Sequence, residues 1–218
     1  HIGLTKSSSR WIRVQVQGES WEFNCLPFGL SCSPLWSHQL AKVVSGHLKE
    51  LGIVHTWYVD DILLLGKTPS EVQSQVSYLL NLLERLGYIV NLEKCVTVPV
   101  QEIEYLGLNI NLSNKTISIP PTRKKEISSA TKKMIRGHQT TATLVANLAG
   151  KLLYFGNASN ALKLLAKPLM RIAGQMSSKA GWKKWTLKPS ELIDLCNFVL
   201  QAVTDSVPIP YLPQHATW

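Results

Sequence analysis

Hydrophobic and polar positions alternate with a period of two over residues 10–16 (Arg-Trp-Ile-Arg-Val-Gln-Val) and again over 20–26 around Trp21 and Phe23, with Gly18 between, which predicts a β-hairpin. The period then lengthens. Trp36, Leu40, Val43, Val44, His47 and Leu51 recur at helical spacing, behind Ser33 as N-cap and Pro34 as first helical residue, and ahead of Gly52 as the stop. Residues 54–65 (Val-His-Thr-Trp-Tyr-Val-Asp-Asp-Ile-Leu-Leu-Leu) set two apolar, β-rich runs on either side of an Asp-Asp pair and predict two buried strands joined by a turn. Thr68-Pro69-Ser70-Glu71 is a capping box, and Val72, Val76, Leu79, Leu83 and Leu86 form one stripe ended by Gly87. Residues 90–98 and 103–110 are strand-like with Pro99 between them, and 116–119 add a short strand after a turn at Ser113-Asn114. This order, ββα-ββ-α-β-ββ, predicts an α+β unit: a mixed sheet with two helices on one face.

At Pro120-Pro121 the pattern becomes helical. Helices are expected over 122–135, 141–155 and 159–172, separated by Gly137 and by Gly156-Asn157. Residues 174–185 read as a loop, Pro189-Ser190-Glu191 opens a last helix to about Thr204, and the Pro-rich end from Pro208 to Trp218 reads as extended.

Charge sharpens this division. Residues 1–120 hold nine Lys/Arg and ten Asp/Glu, whereas 121–190 hold fourteen Lys/Arg against the single acid Glu126. A near-neutral half followed by a block of net charge +13 predicts a platform joined to an arm for a polyanion, nucleic acid above all. The alternative for any one of these helices is a Lys-rich solvated face, but an excess sustained over 70 residues favours nucleic acid. A hydrophobic content of 45% with 17% charged residues is a globular composition, and no apolar run is long enough to span a bilayer, so no membrane partner is expected. Cys25, Cys32, Cys95 and Cys196 lack zinc spacing and read as reduced core thiols. With no secretory signal visible, an intracellular location, cytoplasm or nucleus, is expected.

The candidate chemistry lies at Asp60 and Asp61. Two carboxylates between buried strands call for an external cation, because a buried lone charge is costly. Hard oxygen ligands suit Mg²⁺, and a pair of such ions clamps the attacking and leaving oxygens of a phosphoryl transfer. The alternative is an ordinary polar turn.

Several motifs in one order make the chain resemble the reverse transcriptases of retroelements over nearly its whole length. Tyr58-Val59-Asp60-Asp61 resembles the catalytic hairpin, and Leu26-Pro27-Phe28-Gly29-Leu30, with Ser33-Pro34 opening a helix, resembles the loop that packs on template and nucleotide. Leu86-Gly87-Tyr88 through Asn91-Leu92-Glu93-Lys94-Cys95 and the turn Tyr105-Leu106-Gly107 are similar to the family's next two motifs. Phe28 and the Lys94-Cys95 pair look more like LTR-type, pararetroviral and tyrosine-recombinase elements than like retroviruses.

The resemblance implies a right-hand palm over 1–119, a helical thumb over 120–175 and the start of a connection over 176–218. It implies RNA-directed DNA polymerisation with two Mg²⁺ or Mn²⁺ ions in the intact parent, an RNA or DNA template, a DNA primer and deoxynucleoside triphosphates. Asp60 and Asp61 would be metal ligands and catalytic, and Lys94 would neutralise or protonate the leaving pyrophosphate. Phe28, Gly29 and Tyr58 would line the nucleotide site, with a plain loop turn and a buried strand tyrosine as alternatives. Tyr105, Leu106 and Gly107 would grip the primer, and Arg123, Lys124, Lys125, Lys132 and Lys133 would hold the backbone.

The family's first catalytic Asp precedes a segment that His1-Ile2-Gly3-Leu4 resembles, so that Asp and the fingers are expected upstream of this sequence. An RNase H domain is expected downstream of His215-Ala216-Thr217-Trp218 in the parent polyprotein. The chain thus reads as a fragment, inactive alone. Two rivals are a nucleic-acid-binding protein on a decayed polymerase scaffold and an RNA-templated RNA polymerase. Retention of Asp60 and Asp61 argues against the first, and Tyr58-Val59 where Gly is usual argues against the second.

Overall fold

The structure, a computed structural model, describes residues 2–211; His1 and the segment His215-Ala216-Thr217-Trp218, both used above, lie outside the described residues, as does most of the Pro-rich end. The chain divides into two compact units, 1–100 and 101–218.

The first unit opens with a short helix α1 (Lys6–Ser9), then the antiparallel hairpin β1 (Arg13–Val16) and β2 (Glu19–Glu22), tied across its strands by an Arg13–Glu22 ion pair of 2.6 Å. Helix α2 (Ser33–Glu50) follows, then the hairpin β3 (Val54–Tyr58) and β4 (Asp61–Leu65), and α3 (Pro69–Arg85). Its capping box forms with a shift: the Glu71 N–H donates to Thr68 Oγ1 at 3.2 Å, while the Glu71 carboxylate accepts from the Lys67 N–H at 2.8 Å. Helices α2 and α3 both pack on the β3–β4 hairpin around Leu48, Ile53, Leu79 and Leu83, with Trp57, Ile62 and Leu64 against them. The stripe read on α3 is therefore core where it reaches Leu79 and Leu83.

Three expectations change here. Strands β3 and β4 are half-buried rather than buried, because only their helix-facing side is covered. Residues 90–98 form no strand: Leu92–Lys94 is a 3₁₀ turn, the Cys95 thiol donates to the Asn91 carbonyl at 3.2 Å, and Val96 and Val98 are exposed. Their β-branched side chains had no neighbouring strand to pair with, and strand preference depends on such neighbours. Among the described residues every ladder is antiparallel, so the strands make separate ribbons and one four-stranded sheet instead of a single mixed sheet.

The second unit begins with β5 (Glu102–Tyr105), β6 (Leu108–Asn111) and β7 (Thr116–Ser118). Helix α4 (Pro121–Arg136), ribbon strand β8 (Gln139–Thr140), helices α5 (Ala142–Phe155) and α6 (Asn160–Ala180), strand β9 (Thr186–Leu187), helix α7 (Ser190–Thr204) and strand β10 (Ile209–Pro210) complete it. The sheet order is β10-β7-β6-β5, and β8 pairs with β9. The core runs through Ile127, Val145, Leu152, Leu162, Leu169, Ile172, Leu192 and Val199, all within 1% of complete burial. Helix α6 passes through residues 174–180, expected as loop, because Ala173 and Met176 continue its buried stripe. Of the four cysteines only Cys196 is a core thiol; Cys32 and Cys95 are exposed.

Candidate active site

The Asp-Asp segment forms the predicted tight hairpin. Tyr58 pairs with Asp61, which leaves Val59-Asp60 as a two-residue turn. Two other hairpins show what such a turn ordinarily requires: Gln17-Gly18 and Leu106-Gly107 have both central residues at positive φ, the type I′ pattern that favours Gly in second place. The Asp turn instead puts Val59, a β-branched residue, at φ 53°. That conformation is strained, by about 1–3 kcal/mol, and persists only where its surroundings hold it. Trp57 supplies the hold: its indole Nε1–H donates to the Val59 carbonyl at 3.0 Å, while its ring packs on the core beneath. Sequence reasoning treated Trp57 as an ordinary strand residue, although its place two positions ahead of a non-glycine turn was a usable signal.

Period-two alternation sorts the hairpin's side chains. His55 and Trp57 face the helices, so Tyr58 and its cross-strand neighbour Asp61 share the opposite, open face, with Asp60 at the tip. Tyr58 is 59% exposed, which removes the buried-tyrosine alternative. Asp60 and Asp61 are exposed too, so burial creates no demand for a cation, and what they offer an ion is their donor type. A cavity of about 300 Å³ does lie beside the hairpin, lined by Ser37, His38, Lys42, Ser45, His55 and Val59 among others, but neither carboxylate opens onto it. As ligands, two adjacent carboxylates suit a hard divalent ion. No group of three or more His, Cys, Asp or Glu able to hold a metal occurs among the described residues, so these two do not by themselves make a two-ion site.

Around the hairpin the loop at 26–32 is held at its end by Ser33, whose hydroxyl donates to the Pro27 carbonyl at 2.8 Å as part of the first turn of α2; Cys32, not Ser33, is the N-cap. Phe28 projects from it 96% exposed, and Gly29 has φ 91°, open to Gly without strain. Lys94 sits exposed on the 3₁₀ turn, and no ion pair joins it to Asp60. Burial holds the Tyr88 phenol above its usual range.

The remaining candidates belong to the second unit. There the Leu106-Gly107 turn meets two helices: the Tyr154 hydroxyl of α5 donates to the Leu106 carbonyl, and a methyl at Gly107 would lie 3.9 Å from Arg123 Nε of α4 and from the Tyr154 ring. Tyr154 was invisible from sequence, since its partner is 48 residues away. The basic residues divide by task. Lys125, Lys132 and Lys133 are exposed, but Arg123 is paired with Glu126 at 3.0 Å, and Lys124 Nζ donates to the Ser206 carbonyl at 2.7 Å. Lys188, likewise, donates to the Met134 and Ile135 carbonyls at 2.9 and 2.6 Å and closes the C-terminal end of α4.

Residues 3–110 match the family described as reverse transcriptase (RNA-dependent DNA polymerase). Through this segment the chain belongs to the reverse transcriptase family. Protein P of duck hepatitis B virus (strain China) is 24% identical over 219 aligned residues, all of this chain and 27% of its own length. The Tf2-3 transposon polyprotein of Schizosaccharomyces pombe is 29% identical over 110 residues, half of this chain and 8% of the polyprotein. The foamy viral protease-reverse transcriptase, solved with an RNA/DNA hybrid, superposes with a TM-score of 0.72 at 23% identity over 94% of this chain and 25% of that one. The fold is thus the α+β polymerase fold of reverse transcriptases, and the chain spans about a quarter of the length of the viral relative. No helix of the described residues is long and apolar enough to cross a membrane.

Proposed function

We propose that this chain is the polymerase portion of a reverse transcriptase and that its parent copies RNA or DNA templates into DNA from a DNA primer and deoxynucleoside triphosphates. The observation that carries the reading is the match over residues 3–110 together with Asp60 and Asp61 at a clamped hairpin turn inside it. Residues 1–119 serve as palm, 120–175 as thumb and 176–218 as the start of a connection.

In the parent, Asp60 and Asp61 supply part of the ligand set for two divalent ions, Mg²⁺ or Mn²⁺, whose chemistry is charge neutralisation at the transferring phosphoryl group. The chain's own residues do the positioning. Tyr58, on the open face with Asp61, supports the primer terminus; Phe28 and Gly29 floor the nucleotide; Lys94 offers a cation to the pyrophosphate. The Tyr105-Leu106-Gly107 turn, braced by Tyr154, bears on the primer strand, and Lys125, Lys132 and Lys133 contact phosphates. Arg123 and Lys124 contribute less than their charge implies, because each already holds a protein oxygen.

Primer extension tests this. A longer polypeptide that includes the parent's upstream sequence is expected to extend a primer, and Asp60→Asn in it to lower the rate by at least about a hundredfold without changing the melting temperature. The 218 residues alone are expected to bind primer-template weakly and extend nothing measurable, since no third ligand joins the two carboxylates among the described residues. Full extension by the Asp60→Asn protein would overturn the assignment. Binding to the basic helices should weaken steeply with salt, with a logarithmic slope near −0.9 per phosphate contacted on duplex DNA.

A further inference from the structure

Between Glu126 and Glu191 the chain has no Asp or Glu and eleven Lys or Arg, and the two flanking acids are themselves paired, Glu126 with Arg123 and Glu191 with Arg171. Within this stretch Gly181-Trp182-Lys183-Lys184-Trp185 joins α6 to β9, and its backbone is tied down from both ends. The Gly181 N–H donates to the Ser177 carbonyl at 2.7 Å. The Trp182 carbonyl accepts both from the Thr143 N–H at 3.1 Å and from the Thr143 hydroxyl at 2.8 Å. Thr186 and Leu187 then pair with Thr140 and Gln139, and Lys188 is fastened to the end of α4. The side chains on this fixed backbone point outward: Trp182 is 54% and Trp185 59% exposed, and Lys183 and Lys184 are exposed between them. The same pairing brings exposed Arg136 and His138 to this end of the bundle.

We propose that residues 181–185 form a binding site for single-stranded nucleic acid, in which Trp182 and Trp185 stack on bases and Lys183 and Lys184 contact the phosphates between and beside them. Two indoles held in water on an anchored backbone present flat apolar faces to a ligand, beside two lysines of the opposite charge to phosphate. Three residues of chain span at most about 10–11 Å, so the two rings can engage neighbouring nucleotides of one strand. The alternation aromatic, basic, basic, aromatic matches a polymer that alternates base and phosphate, and base stacking is open only to an unpaired strand, because a duplex hides its base faces. The site lies apart from Asp60 and Asp61 in sequence and needs no metal, so it stands or falls separately from the polymerase reading.

The test is anisotropy of labelled oligonucleotides of about 12 nucleotides, dT and U, beside a blunt duplex of the same composition, titrated with the 218-residue protein. Trp182→Ala and Trp185→Ala are each expected to weaken single-strand binding by roughly 5- to 100-fold, with less than about a twofold change on duplex. Trp185→Phe should restore most of the loss. Lys183→Gln and Lys184→Gln should each reduce the salt slope on single strands by about 0.7. Equal losses on dT and U assign the site to any single strand, and a loss on one alone names the strand type. If a Trp→Ala protein does not fold, the Phe and Gln variants decide. Unchanged single-strand affinity in the Trp variants, equal losses on duplex, or a change in self-association in place of oligonucleotide affinity would overturn the proposal.

Discussion

The two units solve opposite problems. Among the described residues, the second unit buries nineteen hydrophobic side chains in one cluster of four helices and a sheet, whereas the first buries six, four of them in a small cluster under the Asp hairpin. The first unit leaves Trp11, Trp21, Phe28, Trp36 and Val43 exposed on strands, a loop and the outer side of α2. Its charge is nearly balanced, while helices α4, α5 and α6 of the second carry Lys and Arg against the single acid Glu126. One unit is a stable body that offers charge, and the other is a thinly supported frame that presents chemistry. Support for the Asp turn is correspondingly local and includes the Trp57 indole hydrogen bond and the two helices beneath the hairpin.

The comparison is broken most directly by separating the units. Residues 101–218 expressed alone should melt cooperatively, and 1–100 alone should show weak amide-exchange protection and no sharp transition, because its core is small for its length. A cooperative transition from 1–100 would erase the contrast. Next in size, Leu162→Ala in the bundle should cost about 2–5 kcal/mol in denaturant unfolding, whereas Trp36→Ala on the exposed face of α2 should stay within about 1 kcal/mol.

A smaller effect follows from Cys196. Burial, only partly offset by Lys188, raises its thiol from 9.0 to about 11, so ionisation is disfavoured in the folded state. Its contribution is therefore fully present below pH 9 and lost as pH rises through about 11. Urea midpoints measured between those values should fall more for the natural protein than for Cys196→Ala; parallel slopes would refute the burial argument. Smallest of all, Val59→Gly should raise stability or leave it level, by up to about 1 kcal/mol, by relieving the turn. The same change at Val54, in the strand, should destabilise. A loss at Val59 equal to that at Val54 would show the turn to be unstrained.

Much of this was legible along the chain because it depends on neighbours in sequence. The hairpins at 13–22 and 54–65, helices α2, α3, α4, α5 and α7, and the change at Pro120-Pro121 follow from periodicity, turn residues and caps, which act over a few positions. The order of the Phe28-Gly29, Asp60-Asp61 and Tyr105-Leu106-Gly107 motifs likewise pointed to the family that residues 3–110 match. The failures came where distance in sequence separates partners. Residues 90–98 have strand composition without a strand to join, and α6 outruns its expected end because Met176 finds a place in a core built by other helices. That Lys124 donates to the Ser206 carbonyl and Lys188 to the Met134 and Ile135 carbonyls was equally out of reach, because those partners lie 53 to 82 residues away. Sequence alone determined the elements and their chemistry, since backbone preference and side-chain type are local properties. Tertiary structure alone decided which charges are spent inside the protein, which tryptophan clamps the Asp turn and which stand in water, since each depends on what long loops of chain bring alongside.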